Sequence, residues 1–171
     1  MIKMYFAPLF ILCILLMNYS CSKEEVSDSS RLVGSWKLTS YAIDLPLDLN
    51  EDGLKSLNLL EELSCESNEI LTFDANGLMS ATNTFQHEIN VSLATPMPKD
   101  YDATVICAEG QIGFAAEYSQ PNAASVVFNT LEATLEGSAL TRTVTSGFNI
   151  YNEDFSEVIE TKTITLIYTK L

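Results

Sequence analysis

From Leu32 to Leu171 apolar and polar residues alternate in short runs broken by turn residues, and this period of two constrains the fold more than any other feature. Successive side chains of a strand point to opposite faces, so such runs build sheets with one apolar face. Over Leu32–Tyr41 the alternation places Trp36, Leu38 and Ser40 on one face. The runs 70–73 and 78–81 flank Asp74-Ala75-Asn76-Gly77, which predicts a hairpin with Asn76-Gly77 in the turn. Further strands are expected at 88–93, 103–108, 111–118, 126–128, 131–135 and 140–144, with Gly137-Ser138 turning the chain into the last of these. The final strand, 161–169, puts Ile164, Leu166 and Tyr168 on one face and threonines mainly on the other. There is room for eight to ten strands of about five or six residues. Closing such a sheet on itself buries its apolar face and removes its edges. One stretch departs from the pattern: Leu54, Leu57, Leu60 and Leu63 predict a short helix over 53–64, capping one end of the sheet. No internal repeat and no Pro/Gly-rich linker follows residue 31.

The N-terminus predicts an export signal. Lys3 is the one charge before Lys23, and an apolar run from Met4 to Met17 separates them. That run is shorter than the roughly 20 residues needed to cross hydrocarbon. It leads into Asn18-Tyr19-Ser20-Cys21, which resembles the lipobox of bacterial lipoproteins, with Asn18 where leucine is common. The resemblance implies cleavage before Cys21 and acylation of its thiol; the other reading is an ordinary signal peptide with an incidental cysteine. Two acyl chains give stable anchoring where one is marginal. Ser22-Lys23-Glu24-Glu25 resembles the export signal of surface lipoproteins in the Bacteroides–Flavobacterium group, and equally suits a solvated tether. The expected organisation is a signal peptide at 1–20, a flexible acylated tether at 21–31 and one domain at 32–171. The expected location is the outer membrane, at the cell surface or else on its periplasmic face.

Charge excludes one class of partner. Removing 20 of the 171 residues takes one lysine and no acid, so the formal charge moves from −14 to −15 on 151 residues. Nucleic-acid affinity rests on Lys and Arg neutralising phosphates, so no nucleic-acid partner is expected. The membrane is reached through the lipid alone. Of the four cysteines, Cys13 leaves with the signal and Cys21 takes lipid. Cys65 and Cys107 remain in an oxidising compartment, where they form a disulfide or stay as two buried thiols.

Gly34-Ser35-Trp36 resembles the Gly-x-Trp signature that opens lipocalin barrels. The order of later features adds to it: Cys65, Asn68, Leu71, Phe73 and Gly77, then a second cysteine, then Leu140-Thr141 after a tight turn. Together these resemble the lipocalin-like lipoprotein domains of the same bacterial group, over Leu32–Leu171. The resemblance implies an all-β fold, an antiparallel lipocalin-like barrel of eight to ten strands with one short helix; an immunoglobulin-like β-sandwich is the alternative. It also implies an arginine from a late strand stacked on the tryptophan, a role open to Arg142, which is otherwise an exposed strand arginine.

Asp48-Leu49-Asn50-Glu51-Asp52-Gly53 has oxygen ligands at alternate positions before a turning glycine, the first half of an EF-hand-type loop. Asp48, Asn50, Asp52 and the Leu54 carbonyl are the candidate Ca²⁺ ligands. Position twelve is Leu59 rather than a bidentate glutamate, and Glu61 or Glu62 stands in for it. The alternative is a polar turn capping the helix. No catalytic residues are expected. His87 is the one candidate imidazole base, no Gly-x-Ser-x-Gly elbow accompanies it, and no pair of acids stands apart from the many. The expected function is therefore a lipid-anchored, non-enzymatic module binding a small apolar ligand, with Trp36, Phe73, Phe85, Phe114, Phe128 and Tyr168 lining the interior. The alternative is a structural or accessory subunit of a cell-surface complex, in which the same aromatics simply fill the core.

Overall fold

A computed structural model describes residues 29–96 and 99–171. The expected signal peptide, Cys21 and the tether up to residue 28 lie outside the described residues. The elements are α1 (Ser29–Leu32), β1 (Gly34–Leu47), β2 (Ser56–Asn58), α2 (Leu59–Glu62), β3 (Ile70–Phe73), β4 (Leu78–Thr82), β5 (Glu88–Pro96), β6 (Lys99–Ile106), β7 (Phe114–Asn122), β8 (Ser125–Phe128), β9 (Leu131–Glu136), β10 (Ala139–Tyr151) and β11 (Val158–Lys170).

Eight strands close into a ring. The hydrogen-bonded order is β11-β1-β3-β4-β7-β8-β9-β10, and β10 pairs back onto β11. Every step of this ring is antiparallel. The fold is thus the expected antiparallel barrel, and the sandwich is excluded because no break divides the sheet. Trp36 on the first strand sits opposite Lys170 on the last, the neighbour relation that closes the barrel. The β5–β6 hairpin stands outside the ring and joins β10 through a short parallel contact, Ile150 to Val91 and Tyr151 to Ser92.

The turns follow their residue chemistry. Gly137-Ser138 makes a two-residue connection, with Glu136 and Ala139 paired across it and Gly137 at φ 58°. Gly34 has φ 127°, and a Cβ there would stand 3.3 Å from the Lys170 Cε, so glycine suits this entry to the first strand. At the β3–β4 turn, Asp74 Oδ1 accepts hydrogen bonds from Leu78 N (2.9 Å) and Asn76 N (2.8 Å). These bonds, that from Leu78 first, hold the Asp74 carboxyl below the usual carboxylate range. A depressed folded pKa means that the stability Asp74 contributes is present above its unfolded value of about 3.9 and lost as pH falls through the folded value. Asp74→Ala is therefore expected to melt below the parent at neutral pH, with the gap closing as the pH of the scan falls through the lowered folded value. A gap that persists unchanged into acid would assign the turn's stability to something other than this carboxylate.

Two expectations require correction. The leucines at 54, 57, 60 and 63 do not form one helical face, and only Leu59–Glu62 is helical. Leu54 is 71% exposed and Leu57 53%. At about 3.6 residues per turn, a spacing of three drifts round the axis, so four such leucines span about half the circumference. Ser56–Asn58 instead pairs with β1, where Asn58 Oδ1 accepts a bond from Tyr41 N at 3.0 Å. The second correction concerns Ser40. The register slips between Leu38 and Ser40, which makes Thr39 the extra residue of a bulge opposite β11. The buried set on β1 then passes from Trp36 and Leu38 to Ile43, Leu45 and Leu47, and Ser40 leaves the Trp36 face. The bulge joins two core clusters. One lies around Trp36, Phe73, Phe128 and Leu140 inside the ring. The other lies around Ile43, Leu59, Val91 and Ile150, where α2 and the hairpin meet the far ends of β1 and β10.

Candidate functional site

Period-two alternation aims three polar side chains at the barrel interior. Glu69 shares its parity with Leu71 and Phe73, Arg142 with Leu140, and Tyr168 with Ile164 and Leu166. The Tyr168 hydroxyl donates to Glu69 Oε1 at 2.7 Å, and Phe85 N donates to Glu69 Oε2 at 2.7 Å. Both oxygens of this buried carboxylate are thereby satisfied. Burial pushes the Tyr168 phenol well up; the Glu69 charge and its hydrogen bond add to the shift, while Arg142 acts against it. Arg142 Nε is buried and finds no acceptor, and among the described residues no carboxylate forms an ion pair with this guanidinium.

These groups line a partly open pocket of about 150 Å³. Of the six aromatics proposed to line the interior, Phe85, Phe114, Phe128 and Tyr168 border it, together with Arg142, Glu69 and Thr84. Trp36 and Phe73 do not. Trp36 is fully buried in the core, its indole N–H donating to Leu32 O at 2.8 Å, and Phe73 meets Phe128 edge-on. The cation over Trp36 is Lys170, 5.5 Å from the ring, not Arg142. The register explains this: Arg142 pairs with Leu166, four residues and about 13 Å along the strand from Lys170.

Beyond Thr84 and Phe85, which border both spaces, an open polar cleft of about 340 Å³ lies at the barrel end. Its walls are the segments 66–68, 83–87 and 107–111. Cys65 and Cys107 form a disulfide here, with Cα atoms 5.5 Å apart. His87 ties the same segments together. Ala108 N donates to its Nδ1 at 3.2 Å, which leaves Nε2 to carry the proton toward Glu66 O at 3.0 Å. The imidazole is thus occupied on both sides by backbone. Ser67 Oγ and Thr84 Oγ1 are buried without partners; Ser67 borders the cleft, and Thr84 borders both spaces.

The acidic loop lies apart from this site. Asp48 accepts bonds from Asp52 N and Gly53 N, Asn50 from Asp52 N, and Asp52 from Leu54 N. Carboxylate oxygens of Asp48, Asp52 and Glu62 lie within 4.8 Å of one another. Glu62 is buried, and its Oε2 accepts from Leu49 N at 3.3 Å. Sequence spacing finds Asp48, Asn50 and Asp52, whereas Glu62 enters because the chain returns through β2 and α2.

Sequence reasoning missed Glu69, Thr84 and the inward placement of Arg142. For Glu69 and Arg142 the signal was present, since each falls at an inward position of an alternating run; for Thr84, in a loop, there was none. Compared with family models, with curated proteins and with solved structures, the chain finds no match in any of the three.

Proposed function

We propose that this chain is a lipid-anchored, extracytoplasmic, lipocalin-like barrel that binds one small ligand in its interior and performs no catalysis. The observation that carries this reading is the interior cavity, walled by Phe85, Phe114, Phe128 and Tyr168. A cavity of about 150 Å³ accommodates a benzene-sized molecule, whereas drug-sized ligands occupy about 300–1,000 Å³. The disulfide supports an oxidising compartment, and the polar run after Cys21 suits a tether at a membrane surface.

Native mass spectrometry of the chain purified from membranes tests the reading. A small adduct lost on unfolding, on a polypeptide beginning at acylated Cys21, is expected, and Cys21→Ala should move the protein out of the membrane fraction. A Cys21→Ala protein that stays membrane-bound would remove the anchor from the proposal. The accessory-subunit reading has its own support, because Trp36, Phe73, Met79 and Leu140, all at most 1% exposed, fill most of the ring. A chain that never carries an adduct but co-purifies with a stoichiometric protein would favour it.

The proposal extends to Ca²⁺ as a structural ion held by Asp48, Asp52 and Glu62, with Asn50 and the Leu54 carbonyl as the remaining candidate donors. An ion that binds only the folded chain raises its stability by mass action. Millimolar Ca²⁺ is expected to raise the melting temperature, chelator to reverse it, and Asp52→Asn to abolish the response. No response in the parent protein would leave these residues as a capped polar turn.

A further inference from the structure

We propose that the interior cavity selects a small organic monoanion, a carboxylic acid about one aromatic ring in size, whose carboxylate pairs with Arg142. This rests on the interior-binding reading and adds the chemistry of the ligand. Arg142 is the group in the cavity whose needs are unmet. Its Nε is buried without an acceptor, and no described carboxylate pairs with it. A buried guanidinium N–H without an acceptor is costly, and a planar carboxylate meets the parallel N–H donors of such a group two at a time. Among the described residues Glu69, on the same pocket, forms no ion pair with Arg142. Its two oxygens already accept from Tyr168 and from Phe85 N. The unmet demand in the cavity is therefore for an acceptor, and Thr84 Oγ1, buried and unpartnered on the same wall, is a further donor for it. Phe85, Phe114 and Phe128 line the same pocket and suit the apolar body of the molecule. A volume of about 150 Å³ leaves room for one ring and its carboxylate.

Benzoate and its neutral isostere benzamide separate charge from shape. Each is titrated calorimetrically into the purified full chain and into Arg142→Gln and Arg142→Lys. Benzoate is expected to bind the parent about tenfold more tightly than benzamide, the size of effect that a charge-assisted pair supplies. Arg142→Gln should weaken benzoate about tenfold and leave benzamide nearly unchanged, with Arg142→Lys in between because it keeps the charge and loses the fork. Arg142→Gln keeps a polar side chain at this half-buried position, and its melting temperature is measured alongside to show that the fold persists. If benzamide binds the parent as well as benzoate does, or if Arg142→Gln leaves benzoate affinity unchanged, the anion assignment is overturned while interior binding stands. If neither ligand binds the folded parent, interior binding of ring-sized molecules and the anion assignment fall together.

Discussion

Replacing Cys65 and Cys107 together by alanine is expected to lower the unfolding free energy by about 4 kcal/mol, the loop-closure value for cysteines 42 residues apart. For a domain of this size that is a fall in melting temperature of about 10 °C. The effect should not be spread evenly. The disulfide joins the segment before β3 to the segment after β6, so it fastens the hairpin outside the ring to the ring itself. Apart from the chain connections to β4 and β7, the hairpin's described sheet pairing with the barrel is the short contact with β10. Amide exchange in the double variant should therefore rise in β5 and β6 before it rises in β1 and β11. A drop below about 1 kcal/mol would mean that the reduced chain already holds this loop closed when unfolded. Uniform exchange would mean that hairpin and ring unfold as one unit.

Trp36→Ala is expected to cost about 3–5 kcal/mol, the range for emptying a buried aromatic site. Trp36 is completely buried, and its indole N–H closes the barrel end by bonding Leu32 O. Its flanks are held by Lys170, which lies over the ring and also donates to Arg31 O. Trp36→Phe separates the two contributions. It keeps most of the apolar volume and strands the Leu32 carbonyl in the interior, so its cost should be about 1–3 kcal/mol. Urea unfolding, read as midpoint with unchanged slope, checks both. Equal losses for the two variants would place the whole effect in the hydrogen bond. A loss near zero for either would mean that the barrel end is looser than its burial implies.

The parts legible in the sequence are those fixed by local chemistry. The 74–77 turn carries Asp and Gly where the backbone needs a side-chain acceptor and a positive φ, so the β3–β4 hairpin falls where the residues predict it. The last strand alternates cleanly, and Tyr168 is buried with Ile164 as expected. Bulges are less legible. Nothing in Leu38-Thr39-Ser40 announces the slip, because it arises from how the twisted β1 meets β11 across the whole chain. The helix is overcalled because apolar residues at spacing three look periodic over a short window and are not. Glu69 is the instructive case at the site. Its parity points inward, yet an acid inside a barrel is tolerated only with partners, and its partner Tyr168 lies 99 residues away. Local pattern could reveal the direction of the side chain but not the donor that makes the direction affordable.

The β5–β6 hairpin has a further consequence for chains crowded in one plane. Among the described residues the ring has no free edge, but β6 pairs on one side only, with β5. A half-paired strand is a template for another molecule's strand. Asp100 and Asp102 stand exposed on it, and Asp100 is held below the usual carboxylate range by a bond from Tyr101 N and by Lys55. Two copies meeting edge to edge would bring these acids together, and like charges on opposed strands destabilise the pairing. Proteins fixed to a membrane by lipid meet far more often than the same proteins in solution. On such a surface these two aspartates would act as a guard against strand-by-strand polymerisation, at the position where the sheet leaves its backbone open.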